Sequence, residues 1–286
     1  MFDLDLALFQ QARILSGLTT TAALGFVSAT ALPATAASLI PVDTELSLLV
    51  DISNSIDADE YALQTEGYQT AFANLASEFG GGDFGRVAVN LVQWSGVNLQ
   101  VESVSWTLLD SESSVMQFVD TIPVLPRASI SGGTAPGTAI EFATPLFSTN
   151  EYDGQRWVMD VSGDGRGTSG VASSIARDNA LAAGVDVING LPIVGQFTDR
   201  FFEDWYRNNI QGGEGSFTIA ADGFEGIGSA LEQKLIAELT LPPTDLPSEV
   251  EPPVIDLPVS VPEPTMLWGL GLVFGGLLYR QRRHSV

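Results

Sequence analysis

The sequence predicts a single α/β domain built on an open, doubly wound and mostly parallel sheet with helices on both faces. Two observations carry that expectation. Apolar runs of strand length alternate with stretches of helical period from Val42 to Thr240. No internal repeat divides that stretch, so the alternation belongs to one domain rather than to an array.

Glu45 to Ile52 reads as a buried strand, because Leu46, Leu48, Leu49 and Val50 make it nearly continuous in apolar residues. Asp57 and Glu60 form a capping-box pair for the helix that follows. Its Tyr68, Phe72, Leu75 and Phe79 recur at helical spacing before Gly80-Gly81-Gly82-Asp83 ends it. Val87 to Trp94 and Leu99 to Leu108 are the next strands, a hairpin turning at Ser95-Gly96. Glu112 to Thr121 and Pro136 to Phe147 are helical, Arg156 to Ser162 is a strand, and Ala172 to Ala183 is a helix. Val185 to Val194 is a strand, Arg200 to Asn209 a helix, and Phe217 to Ala220 a last short strand. Asp222 and Glu225 cap the final helix, with Phe224, Ile227, Leu231 and Leu235 on one face.

Charge narrows the function. The 286 residues hold 12 Lys+Arg against 35 Asp+Glu, a net charge of -23. So acidic a surface repels phosphate backbones and anionic headgroups, which excludes a nucleic-acid partner and peripheral membrane binding through the folded domain. Cysteine is absent, which removes disulfides, thiolate metal sites and cysteine nucleophiles. The one histidine, His284, stands two residues from the end. A folded domain without imidazole has no Ser-His-Asp triad, no His-based zinc site and no His general base. Any catalysis would run on carboxylates or a hard metal, and the balance moves towards binding.

Both ends carry sorting features. Residues 1–36 read as a signal peptide: Arg13 precedes the apolar stretch Ile14 to Val27, and Ala34-Thr35-Ala36 offers a cleavage site. A short amphipathic helix is the alternative there. Residues 42–240 form the domain, and residues 241–261 are a proline- and acid-rich linker, too rich in proline for helix or central strand. In residues 262–286, Pro262-Glu263-Pro264 is followed by the apolar run Met266 to Tyr279 and by Arg280, Arg282 and Arg283. That run is shorter than the roughly 20 residues that span a bilayer comfortably, and the arginines beyond it mark a cytoplasmic end. The three-part order resembles the PEP-CTERM sorting signal of Gram-negative bacteria. The resemblance implies an exosortase-type processing enzyme as a partner and transient anchoring of an exported chain, bound for the cell surface or extracellular matrix. A plain tail anchor is the alternative, and it too places the domain outside the cytoplasm.

In doubly wound sheets, ligands bind outside the carboxyl ends of the strands. The first strand ends in Asp51-Ile52-Ser53-Asn54-Ser55, whose three oxygen side chains recur with period two and so can point the same way. One carboxylate and two hydroxyls are hard donors of the kind Mg²⁺ or Ca²⁺ accepts. A serine-rich turn capping the next helix explains the pattern equally well when it is taken alone. Ser131-Gly132-Gly133-Thr134 places a further hydroxyl just before a helix, and the strand from Arg156 runs into Gly163-Asp164-Gly165. Asp160 competes with Asp164 but sits mid-strand, where a buried structural role is expected; Thr138 competes with Thr134 but falls inside the helix.

Taken together these elements resemble the von Willebrand factor type A (VWA) domain and its metal-ion-dependent adhesion site (MIDAS), in a bacterial branch without assigned function. The resemblance covers roughly Thr44 to Leu239 and implies a Rossmann-like fold. It also implies a divalent cation held by Asp51, Ser53, Ser55, Thr134 and Asp164, with Mg²⁺ first and Ca²⁺ or Mn²⁺ also suited to the donors. One departure stands out: the family often has a threonine where this chain has Gly163, so a neighbouring hydroxyl is missing.

The expected function is therefore an exported, non-catalytic binding module. Its partner, a protein or an acidic glycan, would supply a carboxylate to the ion. A carboxylate-based glycan hydrolase and an acidic structural matrix protein are the alternatives. A phosphate loop fails, because Gly132 to Thr138 has no lysine before its hydroxyl and the only lysine is Lys234. Trp94, Trp106, Trp157 and Trp205 are expected in the core rather than on a sugar-binding face.

Overall fold

The computed structural model describes residues 38–122, 127–128, 132–195 and 201–240. The chain divides into two units, residues 1–240 and 241–286, and every described residue belongs to the first. The expected signal peptide, linker and sorting signal lie outside the described residues. Among the described residues no helix is long and apolar enough to cross a membrane.

Six strands form one sheet in the order β3-β2-β1-β4-β5-β6. They are β1 (Ile40–Asp51), β2 (Val87–Trp94), β3 (Gln100–Leu109), β4 (Tyr152–Gly163), β5 (Val187–Val194) and β6 (Ala221–Asp222). All neighbours pair in parallel except β2 and β3, which form the expected hairpin, with Asn98 in the turn at φ 58°. Central position explains why β1 is buried from Thr44 to Asp51: it pairs with β2 on one side and β4 on the other, and both faces are covered.

The helices are α1 (Ala58–Asn74), α2 (Glu112–Thr121), α3 (Pro136–Ala143), α4 (Ser173–Ala182), α5 (Phe202–Asn209) and α6 (Ile227–Leu239). On one face of the sheet α1, α2 and α6 bury Tyr68, Phe72, Phe118, Leu231 and Leu235 against Leu46, Leu48 and Val158. On the other, α3, α4 and α5 bury Ile140, Ala176, Phe202 and Tyr206 against Leu49, Trp94, Met159 and Val161. Trp106, Trp157 and Trp205 are partly buried against this second cluster, as expected of core tryptophans. Helices α1 and α6 approach closely at Gly67, where a Cβ would stand 2.7 Å from Ile227 Cγ2. Only glycine fits that crossing.

Three local expectations need correction. Helix α1 ends at Asn74 and passes into a 3₁₀ turn at Ala76–Glu78, so Leu75 and Phe79 reach the core from beyond the helix. The last strand is Ala221–Asp222 rather than Phe217 to Ala220; Thr218 makes only an isolated bridge to Gly190. Asp222 and Glu225 do not cap α6, whose N-cap is Gly226 without a side-chain hydrogen bond. The box at Asp57 and Glu60 is formed as expected: Asp57 Oδ1 accepts from the Asp59 and Glu60 amides, and Glu60 accepts from the Asp57 amide.

The strand order turns back between β1 and β4, the point at which the chain winds in both directions. Their carboxyl ends, Asp51 and Gly163, open on the crevice where doubly wound sheets bind ligands.

Candidate metal centre

Asp51 is the last residue of β1 and is fully buried. Its Oδ1 accepts the Ser53 amide at 2.7 Å, which turns the chain as it leaves the sheet. Its main-chain carbonyl accepts Gln64 Nε2 from α1 at 3.0 Å. Beyond the turn, the Ser53 and Ser55 hydroxyls lie 3.1 Å apart, and Ser55 Oγ donates to Asp164 Oδ1 at 2.7 Å. The expected Asp-x-Ser-x-Ser and Asp-Gly elements, 109 residues apart in sequence, thus meet in one chain of hydrogen bonds.

Thr134 enters from the segment before α3. It is 8% exposed, and its hydroxyl lies 3.5 Å from the position a Cβ on Gly165 would take, beside the Asp164 turn. Main-chain bonds fix it there: its carbonyl accepts the Thr168 amide at 2.8 Å and its amide donates to Thr168 Oγ1 at 3.1 Å. The same segment meets the first loop where the Asn54 amide donates to the Gly132 carbonyl at 3.3 Å. Ser131 lies outside the described residues. The competing residues stand elsewhere. Thr138 Oγ1 accepts the Val171 amide at 3.3 Å, and Asp160 pairs with Lys234 inside the domain.

The electrostatics suit a bound cation. Burial pushes the Asp51 carboxyl up to about 8, and the nearby Asp164 charge adds to the rise. Asp164 is raised as well, by burial, against the hydrogen bond from Ser55. Among the described residues, no lysine or arginine is among the causes that lower either carboxyl. Arg127 comes near but turns its Nη2 to the carbonyls of Ile52 and Ser53, at 3.0 and 2.9 Å. Asp51 Oδ2 is buried without a hydrogen-bond partner among the described residues. A buried carboxylate oxygen with no donor is costly, and a cation beside it removes that cost. Two carboxylates and three hydroxyls also match the oxygen preference of a hard divalent ion, so the residues fit such a group. Among the described residues, no three acids or imidazoles gather as an alternative metal site.

Three contributors escaped the sequence reading: Gln64, Arg127 and above all Tyr206. The Tyr206 hydroxyl is fully buried without a partner among the described residues, and a Cβ on Gly163 would stand 2.8 Å from it and 2.7 Å from Asp51 Oδ2. The missing threonine is thereby explained. A side chain at Gly163 would occupy the space that Asp51 and Tyr206 share, and the phenol brings its own hydroxyl to that space. Burial and the charges of Asp51 and Asp164 hold the phenol well above its ordinary pKa, so it stays a proton donor. Nothing in the local sequence marks it, because a tyrosine on an apolar helix face reads as core.

No curated protein matches the sequence. Among solved structures, the chain is similar to proximal thread matrix protein 1 (PTMP1) from the mussel byssus, with 16% identity and a TM-score of 0.54. The match covers 71% of this chain and 50% of that one, so the chain spans about half the length of that relative. A second structure of the same protein, with a zinc-occupied MIDAS motif, matches at 15% identity and a TM-score of 0.50 over 71% and 50% of the two chains. The pilus adhesin SpaC from Lactobacillus rhamnosus GG matches at 14% identity and a TM-score of 0.50, covering 68% of this chain and 30% of that one. These likenesses establish a VWA-like fold. The family model described as protein of unknown function (DUF1194) matches residues 41–243, and the chain belongs to that family.

Proposed function

We propose that the chain is an exported, non-catalytic binding module that grips a divalent cation at the β1–β4 rim and binds partners through it. The observation that carries this reading is the run of bonds from Asp51 through Ser53 and Ser55 to Asp164, with Asp51 Oδ2 left without a partner among the described residues. Asp51, Ser53, Ser55, Thr134 and Asp164 would hold the ion. Bound there, it would supply a Lewis-acidic position to a carboxylate from a protein or acidic glycan. The protein's own residues do the rest. Gln64 and the Ser53 amide orient Asp51, Ser55 holds Asp164, and Tyr206 closes the site from below. Mg²⁺ is the first candidate, with Ca²⁺ and Mn²⁺ next. The zinc-occupied MIDAS motif of PTMP1 supports a divalent ion in this fold, and the adhesive name of SpaC supports binding rather than catalysis. The joining of the two acids by serine hydroxyls favours cation donors over an acid–base pair for hydrolysis.

Export rests on residues 1–36 and on the PEP-CTERM-like order of Pro262, Glu263 and Pro264 with Arg280, Arg282 and Arg283, which imply an exosortase-type partner and a surface or matrix destination. The test is capture of envelope and medium components by the purified chain in Mg²⁺ and in EDTA, with folding followed by circular dichroism. Capture is expected in Mg²⁺ and lost both in EDTA and in Asp51→Ala, with the spectrum unchanged. Capture indifferent to chelation contradicts the reading.

A further inference from the structure

The other face of the sheet holds a second cluster of ionisable groups. Lys234, the chain's single lysine, is fully buried on α6. Its Nζ lies 2.9 Å from Asp160 Oδ1 on β4 and in contact with Glu238 one helical turn on. Both acids are fully buried too. The Phe217 ring centre lies 5.7 Å from the same nitrogen, and the Tyr68–Ser162 hydroxyl pair lies on the same side of β4. Asn189, opposite Asp160 in register, donates to Glu238 Oε1 at 2.8 Å and accepts the Phe217 amide at 2.9 Å.

One ammonium among two carboxylates leaves excess negative charge in a dry interior, a costly arrangement. Among the described residues neither Asp160 oxygen has a hydrogen-bond partner other than Lys234, so the acid is held by the amine alone. Burial raises the Asp160 carboxyl against the pull of Lys234, and it raises Glu238 to about 7. An amine fixed beside a buried carboxyl, with a second acid touching it and water excluded, is arranged for condensation; positioning of this kind substitutes for high reactant concentration.

We propose that Lys234 Nζ and Asp160 Cγ join in an intramolecular isopeptide bond, with Glu238 as the catalytic proton shuttle. The ammonium first passes one proton to Asp160, giving a neutral amine and a carboxylic acid. The nitrogen lone pair attacks Cγ and the N–C bond forms. Glu238 takes a proton from the nitrogen and returns it to the leaving hydroxyl, the C–O bond breaks, and one water departs. Ammonium and carboxylate become a neutral amide plus water, so atoms and charge balance and no co-reactant is needed. Asn189 is not the acceptor, because both ends of its amide are engaged by Glu238 and Phe217. The bond fastens the last helix to a central strand and leaves the cluster with one acid instead of three charges.

Intact-mass spectrometry of the purified full chain under denaturing conditions tests this, with Glu238→Gln from the same host as reference. The wild type is expected to be lighter by one water after correction for the substitution. Trypsin should then fail to cut after Lys234, and tandem spectra should show the peptide from Trp157 to Arg166 joined to the one carrying Lys234. A wild type at its full mass overturns the proposal. So does a water loss mapping to an Asp-Gly pair such as Asp164-Gly165, which marks succinimide, or a loss of ammonia mapping to Asn189. A bond formed equally in Glu238→Gln removes the shuttle.

Discussion

Two pairs of carboxylates occupy opposite faces of the same central strands and are balanced in different ways. Asp160 and Glu238, enclosed between β4 and α6, have Lys234 between them. Asp51 and Asp164, at the open rim of β1 and β4, have serine hydroxyls and, among the described residues, no lysine or arginine that lowers either carboxyl. Where solvent cannot reach, the chain supplies its own positive charge. Where the site opens outward, the charge is left to be supplied from outside, and the net charge of -23 draws divalent cations towards it. One cluster is thereby structural and the other receptive.

Four substitutions break or sharpen this contrast. Lys234→Met removes the partner of both inner acids, and with it the bond to Asp160, and should cost about 3–5 kcal/mol of stability in urea unfolding; a loss below about 1 kcal/mol would show that Lys234 does not hold the inner cluster together. Asp51→Asn should weaken Mn²⁺ or Mg²⁺ binding by about 100-fold or more in calorimetry. In EDTA its thermal midpoint should match the wild type, because a neutral amide replaces an acid that burial already keeps protonated near neutrality. Gly163→Ala pushes a methyl between Asp51 Oδ2 and Tyr206, and should cost about 1–3 kcal/mol while also weakening the ion. Tyr206→Phe removes only the hydroxyl and should lower ion affinity by about 10-fold, with stability shifting by about 1 kcal/mol or less. A Tyr206→Phe variant with unchanged affinity would make the phenol simple core.

Much of this was legible in the sequence, for physical reasons that differ by region. Strands β1 and β4 are central and covered on both faces, so the stretches from Leu46 to Val50 and from Trp157 to Val161 are mostly apolar and stand out. Asp51, Ser53 and Ser55 stay together although the chain turns after Asp51, because the Ser53 amide bonds to Asp51 and the two serine hydroxyls bond to each other. Asp164 was preferred over Asp160 by position alone, and the structure puts Asp164 on Ser55 and Asp160 on Lys234. The inner cluster was illegible, since a lysine followed four residues later by a glutamate reads as an exposed helical pair. Tyr206 was hidden likewise, because the partner that gives it meaning is the absence of a side chain at Gly163. The failed cap at Asp222 and Glu225 has a local cause: Gly223 takes φ 69° and starts a turn before the helix begins.

The central claim is that Asp51 anchors a cation site, and calorimetric titration of Mg²⁺ or Mn²⁺ into the metal-free chain, beside Asp51→Ala, tests it most directly. The account predicts saturable binding of one ion per wild-type chain and none by the variant. Absence of binding to the wild type, or equal binding by both, would contradict it.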